Sequence, residues 1–266
     1  MKKLIYCSAF MAILAFSLLF IAGAYASDMD TLIESAAKQS YVFKTYLKDD
    51  DVQIQSKNGD VVLTGTVSEE TSRSLARETV ASLPGVKSVD NKLEVKGDLP
   101  VKFTDAWLVA KVRSTLLFHH KTHAYQTEVS AKDGIITLRG RARSAAQRDL
   151  TAEYARDVEG VKDVNNEMTV SNAAMKPDSK TMSEAMDDIK ESLDDASITA
   201  LAKMTLLYHR STSVLNTTVD TKEGVVTLGG RAKTKAEKNL AAKLVGDVRG
   251  VKKVVNNMSV EDIKAI

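Results

Sequence analysis

The chain has 266 residues, of which 44% are hydrophobic and 27% are charged, and only three are proline. These proportions are typical of folded globular domains and exclude a largely disordered chain. A formal net charge of +2 at pH 7 excludes the strongly basic balance that steers a protein to nucleic acid, so we predict no nucleic-acid partner.

The first 26 residues are typical of a secretory signal peptide. Lys2 and Lys3 precede an apolar run from Leu4 to Ala22, and an A-x-A cleavage site ends at Ala26. We predict cleavage after Ala26. The alternative is an uncleaved anchor, because the run is about long enough to span a bilayer. Cleavage would remove the only cysteine and leave 35 basic and 35 acidic residues, which excludes thiol catalysis and cysteine-based metal sites.

One sequence unit then occurs three times. Offsets of 75 and 90 residues align the copies without a gap, so we assign copy 1 to residues 28–97, copy 2 to 103–172 and copy 3 to 193–263. The structural residues in register are Gly59, Gly65, Gly85 and Asn91; Gly134, Gly140, Gly160 and Asn166; and Gly224, Gly230, Gly250 and Asn256. Units of about 70 residues are near the lower limit for independent folding, so we expect the copies to be stabilised by contacts with one another or with a partner.

Each copy begins with a predicted amphipathic helix. An aspartate, Asp105 in copy 2 with Asp30 and Asp195 as its equivalents, is the predicted N-cap, because its carboxylate can accept the first free amides of the helix. A short strand follows, and a dipeptide such as Asp133-Gly134 closes a hairpin into a second strand.

The second strand contains a glycine that has the same parity as its apolar residues. In copy 2, Ile136, Leu138, Gly140 and Ala142 share one face. We predict that this glycine points inward, where a side chain would hold the covering helix away. It is not a phosphate-binding glycine, because no G-x-G-x-x-G follows the strand.

A second helix and a third strand complete each copy. The helix is predicted to end at a left-handed C′ glycine, Gly160 in copy 2. The third strand places Asn166 on the core side, where its amide needs backbone partners at a bulge or sheet end. The order α-β-β-α-β predicts an α+β fold of three tandem small sandwiches, each a three-stranded mixed sheet covered by two helices.

The repeated segments closely resemble the BON domain, a bacterial family named for osmotically inducible protein Y and nodulation proteins. The resemblance is carried by G-V-V-x-L-x-G in the second strand and G-V-x-x-V-x-N at the third. It implies non-enzymatic modules of the bacterial envelope, associated with phospholipid or membrane-surface attachment, osmotic-stress protection and, in some members, chaperoning. Copy 1 departs most, since Asp60 replaces an apolar residue and Pro84 precedes its third glycine.

Trp107 is the only tryptophan of the chain, and Ser197 occupies its position in copy 3. A position that accepts serine is not expected in a deep core. It is therefore a candidate contact to a lipid interface or a partner's groove, although we favour a partly buried ring that packs on a neighbouring copy. The candidate contact residues are Phe103, Trp107, Lys111 and Arg113.

The linker between copies 2 and 3, residues 173–192, carries an amphipathic pattern. Met182, Met186, Ile189 and Leu193 recur at helical spacing. Methionine-rich stripes adapt to varied partners, so this stripe is a candidate partner-contact surface. We favour the alternative, a spacer helix packed between the two copies.

Catalytic patterns are absent from the sequence. His119 and His123 could share a helix face and hold a metal, but no carboxylate lies between them in the zinc-protease pattern, and we favour a solvated helix end. No G-x-S-x-G elbow or other nucleophile frame occurs. We therefore predict no catalytic residue, no metal and no cofactor.

Two functional hypotheses follow. The leading one is a non-enzymatic periplasmic protein of the cell envelope, which acts in stress protection when its tandem copies attach to a phospholipid or membrane surface. Three weak contacts on one chain would multiply in avidity. The alternative is a periplasmic holdase chaperone for outer-membrane or secreted polypeptides, which fits the neutral net charge better.

Overall fold

The computed structural model describes residues 28–97, 101–122, 127–170, 193–212 and 217–260. In it the three copies share one order of elements, except that the first helix of copy 1 is divided into two. Each copy is an α+β module in which helices cover one face of a small mixed sheet, so the predicted fold class is confirmed. The predicted signal peptide and the 173–192 linker lie outside the described residues.

The elements have nearly equal lengths from copy to copy. Copy 1 contains α1 (28–39), α2 (Tyr41–Thr45), β1 (Asp51–Lys57), β2 (Asp60–Val67), α3 (Glu70–Ala81), β3 (Ser88–Asn91) and β4 (Glu94–Val95). Copy 2 contains α4 (Asp105–Phe118), β5 (Thr127–Lys132), β6 (Ile135–Ala142), α5 (Ala145–Arg156), β7 (Asp163–Asn166) and β8 (Thr169–Val170). Copy 3 contains α6 (Asp195–Tyr208), β9 (Thr217–Lys222), β10 (Val225–Ala232), α7 (Lys235–Gly246), β11 (Lys253–Asn256) and β12 (Ser259–Val260).

The second strand is the centre of each sheet. In copy 2, β6 pairs antiparallel with β5, with Val129 opposite Leu138, and parallel with β7 and then β8. The break between β7 and β8 lies next to Asn166, whose Nδ2 donates to the Arg148 carbonyl (2.9 Å) and whose Oδ1 accepts from the Met168 amide (3.2 Å). Asn91 and Asn256 make the same two hydrogen bonds in their copies. The asparagine therefore satisfies backbone groups where the third strand is interrupted.

The predicted N-cap assignment was wrong. The N-caps of α4 and α6 are Thr104 and Asp194, one residue earlier. Asp105 instead reaches across the module, where its carboxylate oxygens accept the amides of Asp133 and Gly134, each at 2.9 Å. The aspartate thus ties the start of the first helix to the hairpin turn, because two amides of a tight turn otherwise have no partner in the strand ladder.

The same clamp is present in the other two copies. Asp195 accepts the amides of Glu223 (2.7 Å) and Gly224 (2.8 Å). Asp30 accepts the Gly59 amide and the Ser56 hydroxyl, and these donors hold the pKa of its carboxyl below its ordinary value. The clamp is a property of the repeated unit.

The glycine of the second strand also has a different role from the one predicted. Gly65 has a φ of +112°, and a Cβ there would lie 2.1 Å from the Asp51 carbonyl oxygen of the neighbouring strand. The close neighbour is therefore the backbone of β1 and not a covering helix. Gly230, its equivalent in copy 3, is exposed, so the glycine of the second strand does not face the core in all three copies.

The third glycine of each copy does not end the second helix. α5 ends at Arg156, and Gly160 lies four residues further on, with the predicted left-handed φ of +92°. A Cβ on Gly160 would lie 2.5 Å from the Phe103 ring. Met29 covers Gly85 and Leu193 covers Gly250 in the same way. The glycine makes room for a side chain at or just before the start of the first helix.

Copies 2 and 3 contact each other reciprocally. The residue after α4, His119, forms an antiparallel bridge with Val248 of copy 3, and the residue after α6, His209, forms one with Val158 of copy 2. Each helix end therefore pairs with the turn that follows the second helix of the other copy. The two copies form a pair with approximate twofold symmetry.

Copy 1 docks differently, on α6 of copy 3. Its first helix is interrupted at Ser40, and the amides freed there donate to copy 3: Tyr41 to Asp194 Oδ2 (2.8 Å) and Val42 to Ser197 Oγ (3.0 Å). These partners satisfy backbone donors that a continuous helix would satisfy internally.

Helix α6 is shared by two hydrophobic cores. Leu201 and Met204 pack into the core of copy 1, whereas Ile198 and Leu206 pack into that of copy 3. All four side chains are at most 1% exposed. This arrangement agrees with the expectation that the small copies are stabilised by contacts with one another.

Candidate functional site

The candidate site is a cleft of about 540 Å³ between copy 1 and helix α4 of copy 2. One wall is the turn from β2 to α3 with the end of β4, and the other is the exposed side of α4. The lining residues are Ser68, Glu69, Glu70, Thr71, Arg73, Val95, Lys96, Ala106, Trp107, Val109, Ala110, Lys111 and Arg113. Cavities of this size commonly hold small ligands.

The aromatic candidates lie together at the mouth of this cleft. The Trp107 ring is half-buried and contacts the Phe103 ring edge-on, with centroids 5.2 Å apart. Phe103 is 48% exposed and has a left-handed φ of +67°, which is rare for a bulky residue. Lys102 places its ammonium 4.5 Å from the Phe103 ring centroid. The region therefore presents an aromatic surface beside a cation.

Lys111 is buried, with 8% of its surface exposed. Its Nζ lies 3.9 Å from the centroid of the Tyr208 ring of copy 3 and 5.6 Å from that of Trp107. Burial lowers the pKa of the Lys111 ammonium to about 8, and the nearby carboxylates of Glu70 and Glu69 oppose this decrease. Its ring contacts are cation–π interactions, which stabilise an ammonium whose side chain is largely buried.

Lys111 divides the cleft from a second cavity. This cavity, of about 320 Å³, lies at the seam of copies 2 and 3 and is lined by Lys102, Trp107, Lys111, Val158, Glu159, Leu207 and Tyr208. Leu207 is 48% exposed there. Of the four predicted contact residues, Trp107, Lys111 and Arg113 line the 540 Å³ cleft, and Phe103 packs against Trp107.

Glu70 provides the acidic side of the cleft. Its Oε1 accepts from Arg73 Nε (3.2 Å) and Nη2 (2.9 Å), whereas its Oε2 is shielded from solvent and has no hydrogen-bond partner. Tyr208 donates or accepts a hydrogen bond with Thr71 at 3.0 Å beneath the cleft. Three copies thus contribute to the surroundings of one site.

Sequence reasoning did not find Glu70, Tyr208 or Leu207, because they come from copies that do not contain Trp107. One signal was available for Lys111. Its equivalents are Ala36 and Leu201, so a charge occurs in one copy where the others have an apolar residue. A deviation of this kind within a repeat marks a position whose surroundings differ.

The remaining sequence candidates lie elsewhere. His119 is buried and stacks on Tyr154, His120 is exposed, and His123 lies outside the described residues. Within the part of the chain that the structure describes, no group of three or more His, Cys, Asp or Glu could hold a metal. Of the linker stripe, Leu193 packs on Gly250, and Met182, Met186 and Ile189 lie outside the described residues.

Comparison with known proteins identifies the repeated unit. Residues 29–97, 104–172 and 194–262 each match the BON domain. The chain is 27% identical over 143 residues to osmotically-inducible protein Y of Escherichia coli K12. The aligned segment covers 52% of this chain and 71% of that protein. The chain is 29% identical over 115 residues to the 21 kDa hemolysin of Actinobacillus pleuropneumoniae, which covers 42% of this chain and 59% of the hemolysin.

A solved structure also overlaps with the chain, though weakly. The C-terminal domain of CdsD, a structural protein of the type III secretion system of Chlamydia trachomatis, is 16% identical with a TM-score of 0.23, over 86% of this chain and 96% of that domain. At this TM-score the overlap indicates nothing about fold or function. Among the described helices, none has the length and apolar content that crossing a membrane requires.

Proposed function

Because the chain belongs to the BON domain family, we propose that it is a non-catalytic protein of the bacterial cell envelope that acts in stress protection by attaching to phospholipid surfaces. Export through the predicted signal peptide would place it in the periplasm. The similarity to an osmotically inducible protein supports the stress-related part of this proposal.

The observation that supports membrane attachment is the aromatic pair of the 48% exposed Phe103 and the half-buried Trp107, with Lys102 beside it. Aromatic rings flanked by cations are favoured where hydrocarbon meets charged headgroups. Leu207, exposed at the adjacent cavity, extends the apolar surface onto copy 3. Local chemistry of this kind can attach a protein whose net charge is close to zero.

The test is sedimentation with phosphatidylglycerol vesicles at low salt. We expect the mature protein to bind and Phe103→Ser to bind roughly tenfold more weakly, because an inserted aromatic ring contributes about 1.5 to 3 kcal/mol. Binding should weaken at high salt, because screening reduces the attraction between cations and anionic lipid. The matched control is Ile135→Ser, which removes another exposed apolar side chain of copy 2 from outside this region.

No vesicle binding at low salt would contradict membrane attachment, and equal loss in both variants would contradict the assignment of the contact to Phe103. If the protein ignores vesicles but suppresses aggregation of an unfolded porin, and Phe103→Ser abolishes that effect, the holdase alternative is supported instead. The same exposed apolar side chains, Phe103 and Leu207, would then contact unfolded polypeptide.

A further inference from the structure

The contact between copies 2 and 3 has two halves, one at the end of each first helix. We name the half that contains His119 the α4 half. There the Arg249 amide donates to the Phe118 carbonyl (3.0 Å), and the His120 amide donates to the Asp247 carbonyl (3.3 Å). Both amides cross the seam, so their protection from exchange with solvent reports whether this half is closed.

The other half, which contains His209 and is named the α6 half, repeats this arrangement. The Glu159 amide donates to the Tyr208 carbonyl (3.2 Å), and the Arg210 amide donates to the Asp157 carbonyl (2.9 Å). The backbone hydrogen bonds of the two halves therefore have the same pattern. A difference in their response to protons has to come from their side chains.

His209 faces a carboxylate across the seam. Its Nδ1 accepts the Ser211 amide (3.0 Å), and its Nε2 lies 3.4 Å from Asp157 Oδ2 of copy 2. The His209 ring holds the pKa of the Asp157 carboxyl below its ordinary value, so this carboxylate keeps its charge in mild acid. A proton added to His209 would therefore meet a counter-charge in the other copy.

His119, its equivalent in the α4 half, has no comparable partner. Its side chain is 1% exposed, and neither ring nitrogen makes a hydrogen bond to any described residue. The titratable groups that face it from the elements packed against it are Tyr154 on α5, Asp247 after α7, His209 after α6 and His120 on its own segment.

Asp247 is the carboxylate in this group, and it is already engaged. It accepts the Tyr154 hydroxyl (2.6 Å) and pairs with the ammonium of Lys121. A proton on His119 would thus be buried without a counter-charge of its own, and burial lowers the pKa of this ring to about 4. The two halves of the seam therefore differ in what a proton does to them.

We propose that the pair of copies 2 and 3 is a proton-operated hinge, in which protonation of His119 in mild acid opens the α4 half while the α6 half stays closed and each copy stays folded. Opening would uncover the side chains of Phe118 and Val248, each only 1% exposed in the closed pair. The inference goes beyond the proposed function, because it concerns the relative position of two copies and does not depend on attachment to a membrane.

The test is residue-resolved amide hydrogen exchange of the mature protein at pH 7 and pH 5, corrected for the intrinsic effect of pH on exchange. We expect the protection of the His120 and Arg249 amides to fall about twentyfold, because the open half binds a proton with a pKa near 6.5 and the closed half only near 4. The amides of Glu159 and Arg210 should change by less than about twofold. The amides of the central strand β6 should remain better protected than all four at both pH values, which shows that copy 2 stays folded.

Two variants assign the effect to one histidine. His119→Phe keeps a ring against Tyr154 but cannot be protonated, so protection of the Arg249 amide should no longer depend on pH. The matched control is His120→Gln, which removes the exposed histidine of the same half. Loss of the contact between its ring and the Asp247 carbonyl (3.0 Å) should lower protection at both pH values and leave the fall of about twentyfold in place.

Asp157→Asn tests the α6 half. This change keeps the size of the side chain but removes the counter-charge that faces His209, so protection of the Glu159 and Arg210 amides should now also fall between pH 7 and pH 5. Unchanged protection of these amides in the variant would contradict the role given to the carboxylate.

Three results with the wild type and His119→Phe would overturn the hinge. Protection of the α4 half that does not depend on pH shows that no proton acts there. Equal falls in all four seam amides show that the copies separate as a unit. A fall that persists in His119→Phe assigns the effect to another group. None of these results changes the outcome expected for vesicle binding, so the hinge and the proposed function fail separately.

Discussion

At the seam between copies 2 and 3, the His119 imidazole lies flat against Tyr154, with ring centroids 3.9 Å apart and an interplanar angle of 14°. Neither ring nitrogen has a hydrogen-bond partner among the described residues. Burial lowers the pKa of His119 from an ordinary value of 6.5 to about 4. Of the titratable groups that face it, Asp247 favours the protonated form, whereas His120 and His209 oppose it.

From the lowered pKa of His119 we predict that the protein loses stability in mild acid. Because the unfolded chain binds the proton with a pKa near 6.5 and the folded protein only near 4, stability present above pH 6.5 is lost as the pH falls toward 4. The full shift corresponds to about 3.4 kcal/mol at 1.36 kcal/mol per pKa unit, and about 2.5 kcal/mol of this is lost between pH 7.5 and pH 4.5. Urea unfolding at pH 7.5 and pH 4.5 measures it, and His119→Gln should reduce the difference between the two pH values by about this amount. An unchanged difference in the variant would show that other groups cause the acid sensitivity.

At the scale of elements, the aspartate clamp joins the first helix to the hairpin in every copy. In copy 2 the two carboxylate oxygens of Asp105 each accept one amide of the turn, from Asp133 and Gly134. The turn residue Asp133 has a left-handed φ of +53°, a conformation that aspartate adopts more readily than most non-glycine residues and that suits an Asp-Gly hairpin turn. The clamp therefore stabilises the turn and with it the register of β5 and β6.

Asp105→Ala should destabilise the protein by about 2 kcal/mol, because two charge-assisted hydrogen bonds to turn amides are lost. The control is Asp149→Ala, which removes an exposed carboxylate of α5 that pairs with its neighbour Arg148 and should change stability by less than about 0.5 kcal/mol. Both free energies come from urea unfolding at neutral pH. Equal effects would mean that the clamp contributes no more than an ordinary surface charge.

The elements themselves could be predicted from the sequence, because hydrophobic period and turn glycines are local signals. The roles of single residues within them could not. The sequence pattern predicts a cap at Asp105 because capping is a local contact, whereas the partners of Asp105 are about 28 residues away along the chain. The alternation of apolar residues predicts that Gly65 makes room for a helix, whereas its close neighbour is the backbone of β1. The cleft could not be predicted at all, since its walls belong to different copies and nothing in the repeat period encodes their orientation.

At the scale of the whole molecule, the three copies are not equivalent, and one residue explains part of the difference. In the twofold pair, the amide of Glu159 donates to the Tyr208 carbonyl (3.2 Å) and that of Arg249 to the Phe118 carbonyl (3.0 Å). Pro84 occupies this position in copy 1 and has no amide hydrogen. Copy 1 therefore lacks one backbone donor of this pairing, which agrees with its docking on the side of α6.

The shared helix α6 makes the stability of copy 1 depend on copy 3. Leu201, fully buried against the core of copy 1, stands where copy 2 has Lys111. In Leu201→Lys a charge would have to be buried in that core, so we expect copy 1 to detach and urea unfolding to separate into two transitions, with copy 1 unfolding first. Leu207→Lys adds the same charge at an exposed position of the same helix and should leave a single unfolding transition.

If both variants unfold in one transition with the same midpoint, copy 1 does not depend on α6. If Leu201→Lys alone separates the transitions, the cleft should disappear with the docked copy, and the fluorescence of Trp107 should shift to that of a solvent-exposed ring.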